Sequence, residues 1–129
     1  MGKISIVVPI YKNEDNIRPF YNDFVKNIKP YIDDYEIVMV HDASPDDSWT
    51  VMNKLAEEDS NIKLIKLSRN FGAIAASFTG IRYSTGDCVT VKACDLQEPP
   101  ELTIEMYNKW KMGGQNLLLP LERPEMIRG

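Results

Sequence analysis

What most constrains this chain is an alternation: apolar runs at residues 4–11, 35–40, 62–67 and 88–93 are each followed by a stretch with helical periodicity. The first run, Ile4-Ser5-Ile6-Val7-Val8-Pro9-Ile10-Tyr11, is almost continuously apolar, as expected of a strand covered on both faces. Pro9 has no N–H for a ladder bond, so pairing is expected to fail there and the chain to turn outward through Lys12-Asn13-Glu14-Asp15-Asn16. Ile17, Phe20, Tyr21, Phe24, Val25 and Ile28 then recur at helical spacing, with Pro19 tolerated in the first turn and Pro30 helping to end the helix. After the second run, Ser48 reads as the cap of a helix whose inward side carries Val51, Met52, Leu55 and Ala56. Asp46 and Asp47 suit the positive end of that helix's dipole. Residues 73–84 predict a helix of small side chains able to pack closely on a sheet, and 100–112 a helix with Leu102, Met106 and Trp110 on one side. Gly113-Gly114 closes it ahead of a fifth strand at 115–120. The order β-α-β-α-β-α-β-α-β gives an α/β fold class: three layers, α/β/α, around a mostly parallel, Rossmann-like sheet with right-handed crossovers. Residues 3–120 make one domain, and 121–129 a tail without a clear element.

A chain of 129 residues suffices for one domain with a real core, and no repeat or low-complexity linker divides it. A net charge of −4 leaves no basic excess for phosphate backbones, which argues against nucleic acid as a partner. Cys88 and Cys94, with His41 remote in sequence, lack zinc-site spacing and read as reduced, buried thiols of an intracellular protein. No signal-peptide pattern precedes the first strand, and no apolar run approaches the roughly 20 residues of a membrane span. The chain as it stands reads as soluble, without a transmembrane segment.

In an open α/β sheet, ligands gather outside the carboxyl ends of the strands. Here those ends are Pro9-Ile10-Tyr11, His41-Asp42, Ser68-Arg69-Asn70 and Asp95-Leu96-Gln97, which bring carboxylates, a cation, an aromatic ring and an amide to one rim. The last is the most pronounced: a strand stops at Asp95, Gln97, Glu98 and a double proline that begins a helix. Taken alone, it reads equally as a ligand- or metal-holding turn and as a helix-capping turn with incidental acids. No glycine-rich loop follows the first strand, which counts against dinucleotide and P-loop readings. A receiver-type signalling module would need an acidic pair where Pro9-Ile10-Tyr11 stands.

The runs Ile6-Val7-Val8-Pro9-Ile10-Tyr11, Val40-His41-Asp42-Ala43-Ser44-Pro45-Asp46, Leu67-Ser68-Arg69-Asn70-Phe71-Gly72 and Asp95-Leu96-Gln97-Glu98-Pro99-Pro100 resemble, in this order, family 2 glycosyltransferases with the GT-A fold. The last two runs are most similar to the branch with dolichyl-phosphate mannose synthase and the polyprenyl-phosphate glycosyltransferases. The resemblance implies a nucleotide-sugar-binding half-domain serving transfer of a sugar from a UDP- or GDP-linked donor, with a polyprenyl phosphate as the expected lipid acceptor. It implies that Pro9 and Tyr11 flank the base or ribose with Glu14 nearby, that Asp42 accepts a hydrogen bond from a ring N–H of the base, and that Arg69 approaches the diphosphate. Without the resemblance, Tyr11 reads as a half-buried core aromatic, Asp42 as a turn former and Arg69 as a solvated loop residue. Gly72 permits a turn in either case. Trp49 reads as packing, His41 as packing at the strand end in preference to a ribose contact, and Ala43 stands where the family commonly has glycine.

In the family pattern, a DxD triplet and a following glutamine hold Mg²⁺ or Mn²⁺ on the diphosphate, where the cation is a Lewis acid. The corresponding triplet is Ala93-Cys94-Asp95: Asp95 and Gln97 are the expected metal ligands, and the first carboxylate is missing. A weakened site with reduced turnover is the expectation. Lys92 adjoins the gap, but strand alternation turns it to the opposite face from Ala93 and Asp95. The family's second half carries acceptor contacts and a candidate base, and this chain stops at Gly129, about where that half is expected to begin. It is therefore expected to be an excised fragment or a naturally short remnant, and no catalytic residue is assigned. The expected location is cytoplasmic, at the cytoplasmic face of the membrane in a full-length protein, and oligomerisation is left open. Ala93 also sustains a reading of another class, a degenerate domain that binds a nucleotide-sugar or a protein partner without transferring anything.

Overall fold

A computed structural model describes residues 2–95 and 98–113; Gln97, the strand expected at 115–120 and the tail at 121–129 lie outside the described residues. Four parallel strands, β1 (Lys3–Ile10), β2 (Asp34–His41), β3 (Ile62–Lys66) and β4 (Cys88–Val91), lie in the order β3-β2-β1-β4. They are connected and followed by α1 (Ile17–Asn27), α2 (Ser48–Glu58), α3 (Ala73–Tyr83) and α4 (Pro100–Lys111), with a 3₁₀ turn at Lys29–Tyr31. Each strand and helix expected within the described residues is present.

Strand alternation sorts the side chains into two cores. Ile4, Ile6, Val8 and Ile10 of β1, with Tyr35, Ile37 and Met39 of β2, pack against Phe20 and Phe24 of α1, Met52 and Leu55 of α2 and Tyr107 of α4. Val7, Val38, Val40 and Val89 form a second cluster with Ala76 and Ile81 of α3. The closeness expected of the small-residue helix is real. A Cβ added at Gly80 would stand 2.4 Å from Val7 Cγ1 and 3.1 Å from Val40 Cγ2.

The inward side of α4 differs from the one expected. Thr103 and Tyr107 are buried, Met106 and Trp110 only partly so, and Leu102 is 45% exposed. Polar anchoring sets the helix phase here. The Tyr107 hydroxyl donates to Gly2 O (2.9 Å) and accepts from Asp33 N (3.0 Å), so a large ring is buried with its polar tip satisfied.

The proline in β1 acts on one side only. β1 pairs with β2 along its length, up to Ile10 beside His41, but with β4 only from Ile4 to Val7. Val7 O accepts from Lys92 N (2.9 Å), so the backbone of Val7 points at β4, and that of Pro9, two residues on, points the same way. Proline offers no N–H there and the two strands part. The expected failure of pairing thus occurs on the β4 side, while the β2 side stays in register.

Candidate functional site

Where β1 and β4 part, a cleft of about 230 Å³ opens at the carboxyl ends of the strands. Pro9, Ile10, Tyr11 and Asn13 line it from the exit of β1, Asp42 from β2, Ala73 from the start of α3, and Ala93, Cys94 and Asp95 from the turn after β4. It lies at the switch point, where one connection leaves β1 for β2 and β4 flanks β1 on the other side.

The exits of β1 and β2 are tied together. Tyr11, 42% exposed, leaves the strand with its N–H on Asn13 Oδ1 (2.9 Å). Lys12, at φ +57°, donates its N–H to Ser44 Oγ (2.8 Å). Glu14 donates its N–H to Asp46 Oδ2 and accepts from Asp47 N at Oε1, both at 3.2 Å. Asp46 also accepts at Oδ1 from Ser44 Oγ (2.6 Å), Ser48 Oγ (2.6 Å) and Ser48 N (3.1 Å). Burial pushes the Asp46 carboxyl up, but these donors outweigh it and hold the group at about 2. The capping acceptor at α2 is therefore Asp46, and Ser48, expected to be the cap, is the first helical residue and a donor to it. A carboxylate with several main-chain and hydroxyl donors outcompetes a single hydroxyl acceptor. Ala43, at φ +53°, occupies the left-handed region, which gives a physical reason for the family's glycine at that position.

Asp42 is 1% exposed and holds up the loop that follows β3. Its Oδ1 accepts from Phe71 N (2.8 Å), and its Oδ2 from Gly72 N (3.0 Å) and Asn70 Nδ2 (3.2 Å). The Asn70 amide also donates to Asp42 O (3.1 Å), and Gly72, at φ +96°, lets its N–H turn inward. A carboxylate has roughly four acceptor positions, so these three donors leave about one on Oδ1 beside the cleft. The sequence marks Asn13 and Asn70 only by their place inside the polar turns that follow β1 and β3. Arg69 shares the rim but is not among the cleft-lining residues, and its guanidinium lies 4.7 Å over the Phe71 ring.

In the turn after β4, Ala93 and Asp95 are exposed while Lys92, 5% exposed, points to α4, as alternation predicts. Burial, then the Asp95 charge, pushes the Cys94 thiol up to about 12, so it stays protonated. Cys88 and Cys94 are both buried and neither forms a disulfide, as expected. Among the described residues, no three His, Cys, Asp or Glu side chains are placed to share a cation. Of the two carboxylates lining the cleft, Asp42 is engaged by Phe71, Gly72 and Asn70, which leaves Asp95, beside a thiol and the Ala93 methyl. Such a donor set fits a cation that comes on a diphosphate with its waters, and does not fit one held by protein ligands alone. His41 is 4% exposed, 5.4 Å from the Trp49 ring, and neither ring nitrogen is hydrogen-bonded among the described residues. Burial, then Lys66, lowers its pKa. It is a packing residue.

This parallel sheet with helices on both faces is the GT-A fold, which solved glycosyltransferase structures share. A mannosyltransferase from Pyrobaculum calidifontis, in complex with GDP-Man and Mn²⁺, superposes with a TM-score of 0.70 at 22% identity, over 81% of this chain and 31% of that one. TarS of S. aureus in complex with UDP-GlcNAc gives 0.63 at 26% identity, over 72% and 26%. The chain belongs to glycosyl transferase family 2, whose pattern matches residues 5–120. It is 37% identical over 111 residues to an uncharacterized glycosyltransferase of Synechocystis, covering 86% of this chain and 35% of that protein. It is 36% identical over 118 residues to the bactoprenol glucosyl transferase of Shigella phage SfX, covering 90% and 38%. The chain thus spans little more than a third of the length of these relatives. No helix among the described residues is long and apolar enough to cross a membrane.

Proposed function

We propose that residues 3–120 are the donor-binding part of a glycosyltransferase that moves a sugar from a nucleotide diphosphate to a polyprenyl phosphate at the cytoplasmic face of a membrane. The observation that carries this reading is the cleft at the parting of β1 and β4, which brings the family's donor-side residues Pro9, Tyr11, Asp42 and Asp95 to one place. The half-exposed Tyr11 ring offers the base an aromatic face, and Pro9 closes the floor beneath it. The remaining Oδ1 position of Asp42 takes a ring N–H of the base; its buried setting makes a mismatched base costly. Glu14 acts at one remove by holding the two exits together, and Arg69 supplies positive charge to the diphosphate from the same rim. Asp95 and Gln97 are the proposed protein ligands of a Mg²⁺ or Mn²⁺ that, when bound with the donor, neutralises charge on the leaving diphosphate. Likeness to the phage bactoprenol glucosyl transferase supports the lipid-phosphate acceptor.

Calorimetric titration with UDP- and GDP-sugars, with and without Mn²⁺, tests the reading: one nucleotide class is expected to bind, more tightly with the metal. Absence of any nucleotide binding overturns it for this chain. Ala93 favours a second reading, a binding domain without turnover, and nucleotide binding with no metal-dependent gain would favour that one. Restoring the carboxylate with Ala93→Asp is expected to strengthen the metal-dependent part about tenfold, near 1.4 kcal/mol. An unchanged metal dependence would refute the account of the missing ligand.

A further inference from the structure

Lys92 has no part in the donor contacts above, yet it buries an ammonium at 5% exposure. Its Nζ donates to Thr103 Oγ1 on α4 (3.1 Å) and to Glu98 Oε1 (3.2 Å), the only partners given to it among the described residues. Its own N–H is fixed on Val7 O at 2.9 Å, so its backbone belongs to the end of the sheet. Glu98, whose side chain is 56% exposed, stands just ahead of the prolines that start α4. The ion pair therefore ties the end of the sheet to the residue just ahead of α4, with Asp95 lying between the two in sequence.

A methionine would fill much the same volume without burying charge, and Glu98, its side chain 56% exposed, would be left in water and not as an uncompensated buried charge. Stability alone does not account for the ammonium. What it does that an apolar residue cannot is hold Glu98 to the end of the sheet while α4 is pinned through Thr103.

We propose that Lys92 is a positioning residue: through Glu98 and Thr103 it clasps the start of α4 to the end of the sheet so that Asp95 is presented to a diphosphate-bound cation, which matters more here because Ala93 supplies no second carboxylate. This inference rests on the donor-binding reading. Lys92 itself touches neither donor nor cation.

The test uses the full chain as wild type, Lys92→Met, Lys92→Arg and Glu98→Ala, with UDP, GDP and Mn²⁺ as probes. Urea midpoints report stability, calorimetry reports nucleotide affinity with and without Mn²⁺, and the electron-spin signal of free Mn²⁺ reports metal uptake. Lys92→Met is expected to keep or raise the urea midpoint and to leave metal-free nucleotide affinity within about twofold. It should lose the Mn²⁺-dependent gain by about tenfold. Glu98→Ala should lose the gain as well, which preserves the test if Lys92→Met does not fold, and Lys92→Arg should retain part of it. Full metal gain in Lys92→Met or Glu98→Ala, or a parallel fall of stability and both affinities, overturns the proposal. A wild-type chain that binds nucleotide without any Mn²⁺ gain overturns the clasp but leaves donor binding standing. One that binds neither nucleotide overturns both.

Discussion

Replacing Asp42 by asparagine separates two roles that one carboxylate holds. In the folded chain it accepts from Phe71 N, Gly72 N and Asn70 Nδ2 at 2.8–3.2 Å while almost wholly buried. Asparagine can keep its oxygen toward Phe71 N, but its amide nitrogen then confronts two donors, the Gly72 N–H and the Asn70 amide. Leaving a buried donor unmatched costs about 1–3 kcal/mol, and losing the charge weakens the bond that survives. The Asn70 side chain can turn to water, which reduces the sum, so the expected loss is about 2–4 kcal/mol of a total of about 5–15. With a urea dependence of about 2 kcal/mol per M, the midpoint should fall by about 1–2 M. Trp49 and Trp110 fluorescence and far-UV circular dichroism follow the transition, and nucleotide titration is done well below it. A variant within about 0.5 kcal/mol of wild type would show that the β3 loop does not hang on Asp42. If such a variant nevertheless lost nucleotide affinity, the base contact would be the residue's sole function.

Two further perturbations probe the packing of the helices on the sheet. Because burial lowers the pKa of His41, the unfolded chain takes up its proton first as pH falls from its ordinary value of 6.5; stability is full above that pH and is lost toward the folded value, by at most about 1.4 kcal/mol per pH unit. Urea midpoints between pH 7.5 and 5.5 should show this slope in wild type and not in His41→Leu, a window clear of Asp46, whose pKa near 2 matters only in acid. Gly80→Ala should destabilise by about 1–2 kcal/mol, since the 2.4 Å approach to Val7 Cγ1 outweighs a helix-propensity gain of about 1 kcal/mol. In a Val7→Ala background the same change should be neutral or stabilising; an equal cost in both backgrounds would refute the steric account.

The sequence by itself determined what depends on local period. Continuous and alternating apolar runs placed the strands, helical spacing placed α1 and α2, and alternation sent Lys92 away from Ala93 and Asp95. The four motifs marked the rim because strand exits are written in turn residues. Only the tertiary structure decided the order β3-β2-β1-β4, the one-sided parting of β1 from β4 at Pro9, and the polar anchoring that buries Thr103 and Tyr107 where Leu102 was expected. It also gave Asp42 its donors, 28 to 30 residues away, and made Asp46 the acceptor that Ser48 was expected to be. Periodicity is a property of neighbouring residues along the chain. Which donor meets which carboxylate is set by packing across the sheet, among partners that no local pattern names.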